Sequence, residues 1–258
     1  MKAMIFAAGL GTRLKPVTDT LPKALVPIAG KTLLQWQIEK LKDAGITDIV
    51  VNVHHFPDLI INYLQDHNNF GCNLQVSDER ERLLETGGGL RKAEEKFRSL
   101  GVQEFRSSNE GILICNVDIL SNIDISTLLQ AYNPEEIGIV VVSERDTQRY
   151  LLFDEEHRLC GWTNIATGEV RGEKARRRGE DKTMKRLAFS GMQVLNPRIF
   201  EYMDEIVAKK GEKFSLIDLY LSIAEKEILR AYIPENYRMM DVGKIAQLSE
   251  AENFASNL

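Results

Sequence analysis

Cysteine is scarce in this chain, and its spacing excludes two kinds of stabilising site. The sequence of 258 residues has only Cys72, Cys115 and Cys160, which are widely separated and form no C-x-x-C pair. An odd number of isolated cysteines argues against a disulfide framework and against a structural zinc site. We therefore expect a protein of the reducing cytoplasm.

Long hydrophobic runs and an excess of positive charge are also lacking. The longest apolar stretches, 137–142 and 111–115, have the length of strands and fall far short of the roughly 20 residues of a membrane helix. The apolar run after Lys2 is too short for a signal peptide and leads directly into glycines, so we interpret it as a first strand. The net charge of -5 argues against a general nucleic-acid binder, which needs a basic face. We expect neither a membrane nor a nucleic-acid partner.

Short runs of β-branched residues alternate with longer segments of helical period, which is typical of an α/β fold with a mostly parallel sheet between helices. The predicted strands lie near 2–8, 48–53, 73–76, 111–116, 138–143 and 188–195, with a hairpin over 149–164. The predicted helices lie between Thr32 and Gly45 and near 57–67, 88–97, 197–209, 216–226 and 244–254. No repeat or low-complexity linker divides the chain, so we expect a single domain over residues 1–258.

The first predicted strand leads into Gly9-Leu10-Gly11-Thr12-Arg13, at the edge where an α/β sheet presents its strand ends to a ligand. Glycines let the backbone approach an anion, and Arg13 adds a fork of charged donors. A dinucleotide fingerprint is excluded because Leu14 stands where its third glycine belongs, and a P-loop because Leu25 stands five residues before Gly30. The loop indicates a phosphate site of another kind, with a plain strand-to-loop turn as the alternative.

The continuation of this loop is a long, position-rich motif. Residues 9–30 read GLGTRLKPVTDTLPKALVPIAG, which resembles GxGTRxxPxTxxxPKxLxPxxG, the signature of the sugar 1-phosphate nucleotidyltransferases. The resemblance implies a Rossmann-like three-layer sandwich with a mostly parallel, mixed central sheet. It implies that Arg13 and Lys23 are catalytic, as two cations that hold the triphosphate. The implied nucleotide-binding residues are Ala8, Gly9, Gly11, Thr12, Arg13, Lys23, Glu79, Thr86, Gly87 and Asn116.

A second glycine-rich segment, Glu85-Thr86-Gly87-Gly88-Gly89, lies between a predicted strand and a predicted helix. Three successive glycines cost backbone entropy and pack nothing, so we expect a loop that closes on a ligand. In the family that the chain resembles, this loop faces the base and ribose. The segment is similar in particular to that of members acting on N-acetylmuramic acid 1-phosphate with UTP. A flexible start of the next helix is the alternative.

Two aspartates at predicted strand ends are candidate metal ligands. Asp118 follows the apolar run 111–115, and Asp241 lies in Met240-Asp241-Val242-Gly243. Because Mg²⁺ takes only one or two protein carboxylates and shares substrate phosphates, this pair suffices. The resemblance implies the same role, although Val117 and Lys244 depart from the family's usual glycine and small hydroxyl residue. Each aspartate taken singly is equally compatible with a cap or a turn.

The predicted strand at 188–195 resembles the sugar-binding strand of the family. Gly191 lies within it, and a glycine inside a strand marks either the close approach of a ligand or a β-bulge. The implied sugar-binding residues are Asp118, Ser190 and Gly191. Many members hold the sugar phosphate with a lysine of a Glu-Lys-Pro motif, which has no counterpart in residues 160–164. Its replacement stays open among Lys174, Lys182 and Arg186.

Together the motifs predict an enzyme that joins an NTP to a sugar 1-phosphate and releases pyrophosphate, with Mg²⁺ as cofactor. The attacking sugar phosphate is already an anion, so catalysis requires positioning and charge neutralisation and no general base. UTP with N-acetylmuramic acid 1-phosphate ranks first, then GTP with mannose 1-phosphate, then dTTP or UTP with glucose 1-phosphate.

Two alternatives belong to other classes. A non-catalytic nucleotide-sugar sensor is disfavoured because Arg13, Lys23, Asp118 and Asp241 are all retained, and a glycosyltransferase because Asn116-Val117-Asp118 is not an Asp-x-Asp motif. We expect the nucleotide to bind within about residues 1–120 and the sugar within about 121–258. We expect a monomer or a homodimer.

Overall fold

Strands and helices alternate along the computed structural model, which describes residues 1–101, 105–178 and 184–258. The strands are β1 (Lys2–Phe6), β2 (Pro27–Ile28), β3 (Lys31–Thr32), β4 (Asp48–Val53), β5 (Asn73–Asp78), β6 (Ile112–Asn116), β7 (Ile119–Ser121), β8 (Gly138–Ser143), β9 (Arg149–Phe153), β10 (Leu159–Asn164), β11 (Glu169–Arg171), β12 (Lys185–Leu195), β13 (Leu229–Tyr232) and β14 (Met239–Asp241). The helices are α1 (Leu33–Asp43), α2 (Pro57–Asp66), α3 (Glu85–Ser99), α4 (Ile125–Ala131), α5 (Glu173–Arg178), α6 (Ile199–Lys210), α7 (Leu216–Ile223) and α8 (Leu248–Ala255). Among the described residues, every helix is too short or too polar to cross a bilayer.

The amino-terminal half of the chain forms a parallel sheet whose inner strands, β1, β4 and β6, are largely apolar on both faces. β1 pairs in parallel with β4 and β6, and β4 pairs in parallel with β5. Successive side chains of β1 enter two different hydrophobic cores, because Ala3 and Ile5 lie in one core and Met4 lies in the other. Such alternation requires a helical layer on each face of the sheet. The predicted three-layer α/β fold is therefore confirmed.

Strand β12 joins the two halves of the sheet. It pairs antiparallel with β6, β8 and β9, and β9 forms the predicted hairpin with β10. The result is one mixed sheet with the order β11-β10-β9-β12-β6-β1-β4-β5, to which β8 and β13 are added beside β12. Ile5 and Val141 share one hydrophobic core. The parts expected to bind nucleotide and sugar thus lie on one continuous scaffold.

Helix α1 begins and ends as the sequence predicts. The Thr32 hydroxyl accepts a hydrogen bond of 3.0 Å from the Gln35 amide, which caps the first turn. Its apolar side chains are buried, and Gly45, at φ +77°, follows the last turn in the left-handed conformation that a helix end favours. Local sequence signals therefore fix this element.

Two short strands that the sequence does not predict bring distant segments together. β7 and β14 pair antiparallel with Asp241 opposite Ile119, and the Val242 amide donates a hydrogen bond of 2.9 Å to the Asp118 carbonyl oxygen. Strands of three residues carry too little alternation to be recognised in a sequence. This pairing places Asp118 and Asp241 next to each other.

Candidate active site

The loop after β1 folds back on itself and leaves its amides near the strand ends. Gly11 has φ +64°, and a β-carbon there would lie 2.8 Å from Cγ2 of Thr18. The Thr18 hydroxyl donates a hydrogen bond of 2.8 Å to the Gly11 carbonyl oxygen, and the Leu14 amide donates another to the same oxygen. Position 11 requires glycine, because a β-carbon there would collide with Thr18 and a positive φ is unfavourable for other residues. Arg13 follows it with an exposed side chain.

A cavity of about 590 Å³ lies beside this loop, at the carboxyl ends of β1 and β6, and has the size of a small-molecule site. Predicted site residues supply much of its wall, namely Ala8, Gly9, Gly11, Thr12, Arg13, Lys23, Thr86, Asn116 and Asp118. Another cavity, of about 470 Å³, lies between α1 and the start of α4 and includes none of these residues. We therefore take the first cavity as the candidate active site.

Lys23 and Asp118 form an ion pair on this wall. Lys23 lies in a short 3₁₀ turn (Lys23–Leu25) of the proline-containing loop and is only 7% exposed. Asp118 lies just beyond β6, and 21% of its side chain is exposed. A cation and a carboxylate that are both largely removed from water attract each other more strongly than a surface pair. The structure thus brings two residues together that are far apart in the sequence.

Asp241 lies beside this pair with one carboxylate oxygen unsatisfied. Its Oδ1 atom is buried and has no hydrogen-bond partner among the described residues. Burial raises the pKa of the Asp241 carboxyl group, and the charge of Asp118 acts in the same direction, while Lys23 and Arg13 oppose it. Two adjacent carboxylates repel each other unless a cation lies between them.

These donors fit a magnesium ion shared with a substrate. No cluster of three or more acidic, histidine or cysteine side chains is present in the described ranges, so a closed protein site for a metal does not form there. Mg²⁺ prefers oxygen ligands and commonly uses one or two carboxylates together with substrate phosphates and water. The unsatisfied oxygen of Asp241 and the adjacent Asp118 match this preference.

The glycine run 87–89 is part of helix α3, not the open loop that the sequence predicts. Segment 212–216 covers it closely: a β-carbon on Gly88 would lie 2.1 Å from the Glu212 carbonyl oxygen, and one on Gly87 would lie 2.4 Å from the Phe214 ring. The amides of Gly87 and Gly88 donate to the Phe214 carbonyl oxygen at 2.9 and 3.1 Å. The expectation that these glycines pack nothing is wrong, because they admit another backbone segment.

Thr86 and Gly87 have different positions at this helix start. Thr86 borders the cavity, and its hydroxyl accepts a hydrogen bond of 3.0 Å from the Leu216 amide. Gly87 does not border the cavity and faces Phe214 instead. Ser215, which the sequence analysis does not select, also borders the cavity and caps α7 through the Asp218 amide. The Ser-x-x-Asp spacing of a helix start is the signal that marks it.

Glu79 is not on the cavity wall, which corrects the prediction of a nucleotide contact for it. Its side chain is fully buried and accepts hydrogen bonds from the Asn52 amide group at 2.7 Å and the Leu84 backbone amide at 3.2 Å. Asn52 in turn accepts from the Ala7 amide at 2.8 Å. Burial raises the pKa of Glu79. The chain of bonds connects the end of β1 to the segment before α3.

The predicted sugar strand does not border the cavity itself, but its glycine packs against Asn116, which does. Gly191 has φ +75°, and a β-carbon there would lie 2.6 Å from Ile119 and 3.2 Å from the Asn116 amide group. The pairing of β12 with β8 shifts register between Phe189 and Gln193, so this segment also contains the β-irregularity that the sequence left open. Ser190 is completely buried and its hydroxyl lies 3.4 Å from that of Ser143, so its side chain is not presented to a ligand.

The three cationic residues that the sequence analysis leaves as candidates for binding the sugar phosphate lie in different environments. The Lys174 ammonium group donates a hydrogen bond of 2.5 Å to the Ala224 carbonyl oxygen. Arg186 is exposed on β12, where it pairs with Leu152 of β9. Lys182 lies outside the described residues. Arg145, which the sequence analysis does not select, donates a hydrogen bond of 2.9 Å to the Phe189 carbonyl oxygen, next to the sugar strand. Its place in the loop after β8 carries no recognisable local pattern.

A mixed α/β sheet with a glycine loop, two cations and the Asp118 carboxylate around one cavity, and Asp241 beside Asp118, is typical of a phosphoryl-transfer protein. The chain belongs to the nucleotidyl transferase family, which it matches over residues 2–257. It is 32% identical to the N-acetylmuramate alpha-1-phosphate uridylyltransferase of Neisseria meningitidis serogroup B, over 99% of this chain and 98% of that protein. It is 35% identical to the enzyme of the same name from Caulobacter vibrioides, over 57% and 59% of the two chains.

A solved structure shows the same fold. A UDP-glucose pyrophosphorylase complexed with UDP-glucose superposes with a TM-score of 0.74 at 19% identity, covering 99% of this chain and 98% of that one. The predicted membership of the sugar 1-phosphate nucleotidyltransferases is confirmed, and the chain is an enzyme of that class.

Proposed function

We propose that the chain transfers the uridylyl group of UTP to N-acetylmuramic acid 1-phosphate, giving the UDP-sugar and pyrophosphate. The observation that carries this choice is the similarity over nearly the full length of both chains to a relative named for that reaction. The segment from Glu85 to Gly89 supports it, because it resembles the corresponding segment of such enzymes.

In the proposed reaction an oxygen of the sugar phosphate attacks the α-phosphorus of UTP. A new P–O bond forms, the bond from the α-phosphorus to the oxygen bridging to the β-phosphate breaks, and pyrophosphate leaves with those electrons. No proton has to be removed, because the attacking group is an anion. Catalysis therefore depends on alignment and on compensation of the phosphate charge.

The glycine loop binds the triphosphate in this proposal. The backbone amides of Gly9, Gly11 and Thr12 face the phosphates. The Arg13 side chain is exposed and free to turn towards the phosphates, to which it adds charged hydrogen-bond donors. When UTP binds, the Lys23 ammonium group moves away from Asp118 and forms an ion pair with a phosphate oxygen. Asp118 is then released from this ion pair.

Asp118 and Asp241 would hold Mg²⁺, which when bound supplies positive charge to the phosphates. Their adjacency and the unsatisfied Oδ1 of Asp241 support the assignment. Asn116 and Thr86 border the cavity where the ribose and base would lie. Glu79 and Gly87 position that part of the site from behind its wall.

The sugar side comprises Asp118 and the backbone of Ser190 and Gly191, where Gly191 packs against Ile119 and Asn116. Ser215 and Gly243 also border this cavity, which supports a nucleotide part that includes residues beyond 1–120. We propose that the enzyme acts in the cytoplasm, in keeping with its sparse cysteines, as a monomer or a homodimer.

Pyrophosphate release tests this proposal. UTP, GTP, dTTP, CTP and ATP are each combined with N-acetylmuramic acid, mannose, glucose and N-acetylglucosamine 1-phosphates, with Mg²⁺ and with EDTA. We expect the UTP and N-acetylmuramic acid 1-phosphate pair to be fastest and EDTA to abolish release. A faster GTP and mannose 1-phosphate pair, or a dTTP or UTP and glucose 1-phosphate pair, would replace the proposed substrates. Nucleotide binding without turnover in every pair would instead support a sensor.

A further inference from the structure

Arg145 is an exposed cation whose guanidinium group is nevertheless fixed in position. It lies in the loop between β8 and β9, and its Nη2 atom donates a hydrogen bond of 2.9 Å to the Phe189 carbonyl oxygen. The strands on either side are aligned there, because Val142 of β8 pairs with Phe189 of β12. A guanidinium group has five N–H donors, so one bond to a carbonyl orients it and leaves others available.

Arg145 and its anchor Phe189 do not border the cavity, but Phe189 lies two residues from a glycine that packs against the cavity wall. Phe189 is followed by Ser190 and Gly191, and Gly191 packs against Asn116, which borders the cavity. Arg145 is thus connected, through Phe189 and Gly191, to the part of the site where the sugar is proposed to bind.

In the described ranges, no carboxylate lies within ion-pair distance of Arg145, whereas Arg171 is paired with Asp218 and Lys23 with Asp118. A cation oriented by a carbonyl oxygen and lacking a carboxylate partner is available for an anionic ligand.

We propose that Arg145 binds the phosphate group of the sugar 1-phosphate and orients it for attack. This inference rests on the proposed function. The attacking phosphate has to approach two aspartates that repel it, and Arg145 offers compensating charge from the sugar side. The planar guanidinium fork matches two phosphate oxygens, which a single ammonium group cannot do. Arg145 is therefore a substrate-binding residue that sets specificity for the phosphorylated sugar.

The test separates the Michaelis constants of the two substrates in Arg145→Ala and Arg145→Lys. Loss of a charge-assisted contact should raise KM for the sugar 1-phosphate about 10- to 100-fold in Arg145→Ala. The KM for the NTP should stay within about twofold, because the nucleotide loop is untouched, and Arg145→Lys should recover part of the loss. Arg149→Ala, an exposed arginine at the start of β9, is the matched control and should behave like the unmodified enzyme.

Competition experiments decide which anionic group Arg145 contacts. N-acetylglucosamine 1-phosphate, which lacks the carboxylate of N-acetylmuramic acid 1-phosphate, is used as a competitor of the sugar substrate, and inorganic phosphate as a second one. Both should lose potency in Arg145→Ala if the contact is to phosphate. Unchanged potency, with only the carboxylate sugar affected, would overturn the phosphate contact, as would an equal rise in both KM values.

Binding of the sugar 1-phosphate measured by calorimetry tests the role of Arg145 even if the proposed reaction is not observed. If the unmodified enzyme releases pyrophosphate with no substrate pair, the proposed function fails, and titration with the sugar 1-phosphates still compares unmodified protein with Arg145→Ala. Weaker sugar phosphate binding in the variant, with unchanged UTP binding, supports the role of Arg145. Equal binding of the sugar phosphate by both proteins refutes it.

Discussion

Asp118→Asn should lower the stability of the folded protein and Asp241→Asn should raise it, although both changes should abolish most activity. Asp118 is the partner of the buried Lys23, whereas Asp241 has a buried oxygen without a partner and a like charge beside it. If Asp241 binds the metal ion as proposed, its carboxylate serves function at a cost in stability.

The magnitudes follow from burial. Breaking a fully buried ion pair costs about 3–5 kcal/mol and a surface pair about 0–1 kcal/mol, so we expect about 1–3 kcal/mol for Asp118→Asn, whose side chain is 21% exposed. Removing the uncompensated charge of Asp241 should stabilise the protein by about 1 kcal/mol. For a chain of this size, 1 kcal/mol corresponds to roughly 2–4 °C in Tm.

Thermal unfolding without metal or nucleotide measures both variants, with Asp66→Asn on the exposed end of α2 as the control for loss of one negative charge. We expect a lower Tm for Asp118→Asn, an equal or higher Tm for Asp241→Asn, and no more than about 0.5 kcal/mol of change for the control. Pyrophosphate release at saturating Mg²⁺ should fall by about 10²–10³-fold in both site variants, as for other groups that stabilise transition-state charge.

Two results would refute this reasoning. If Asp241→Asn lowered Tm as much as Asp118→Asn, the Asp241 carboxylate would have a structural partner and would not be an unsatisfied metal ligand. If either variant kept full turnover at saturating Mg²⁺, that aspartate would not hold the metal ion.

Three further changes test the packing and electrostatics around the site. Gly88→Ala should destabilise the protein by about 1–3 kcal/mol, because the new methyl group meets the Glu212 carbonyl oxygen, whereas Glu95→Ala on the exposed face of α3 should be near neutral in chemical denaturation. Gly191→Ala should both lower stability and raise KM for the sugar 1-phosphate in steady-state kinetics, because its φ of +75° and its tight packing favour glycine. Burial lowers the pKa of Lys40 to about 8, below the pKa of a lysine in the unfolded chain. The buried charge of Lys40 therefore destabilises the folded protein below pH 8, and this destabilisation disappears as the pH rises towards 10 and the folded protein releases the proton. Any stability advantage of Lys40→Met over the unmodified protein should therefore shrink from pH 7 to pH 10 in urea unfolding, and a pH-independent difference would exclude this charge penalty.

The structure corrects the sequence analysis where distant segments meet. The glycines at 87–89 look like a loop because the sequence gives no sign that segment 212–216 will lie on them. The family resemblance implies a nucleotide contact for Glu79, but the sequence does not show that Asn52 of another strand will hold this side chain in the interior. Arg145 was not selected, because nothing local shows that its loop returns to Phe189.

The sequence by itself determined the α/β class, the approximate positions of the strands in the first half, the boundaries of α1 and the glycine loop with Arg13 and Lys23. These features depend on side-chain alternation, caps and contiguous motifs, all of which act over a few residues. Only the tertiary structure decided that Asp118 lies beside Asp241, that Lys23 is paired with Asp118 and that Gly191 meets Asn116. Those contacts depend on the register of β7 with β14 and on the antiparallel insertion of β12, which are set by packing between segments far apart in the chain.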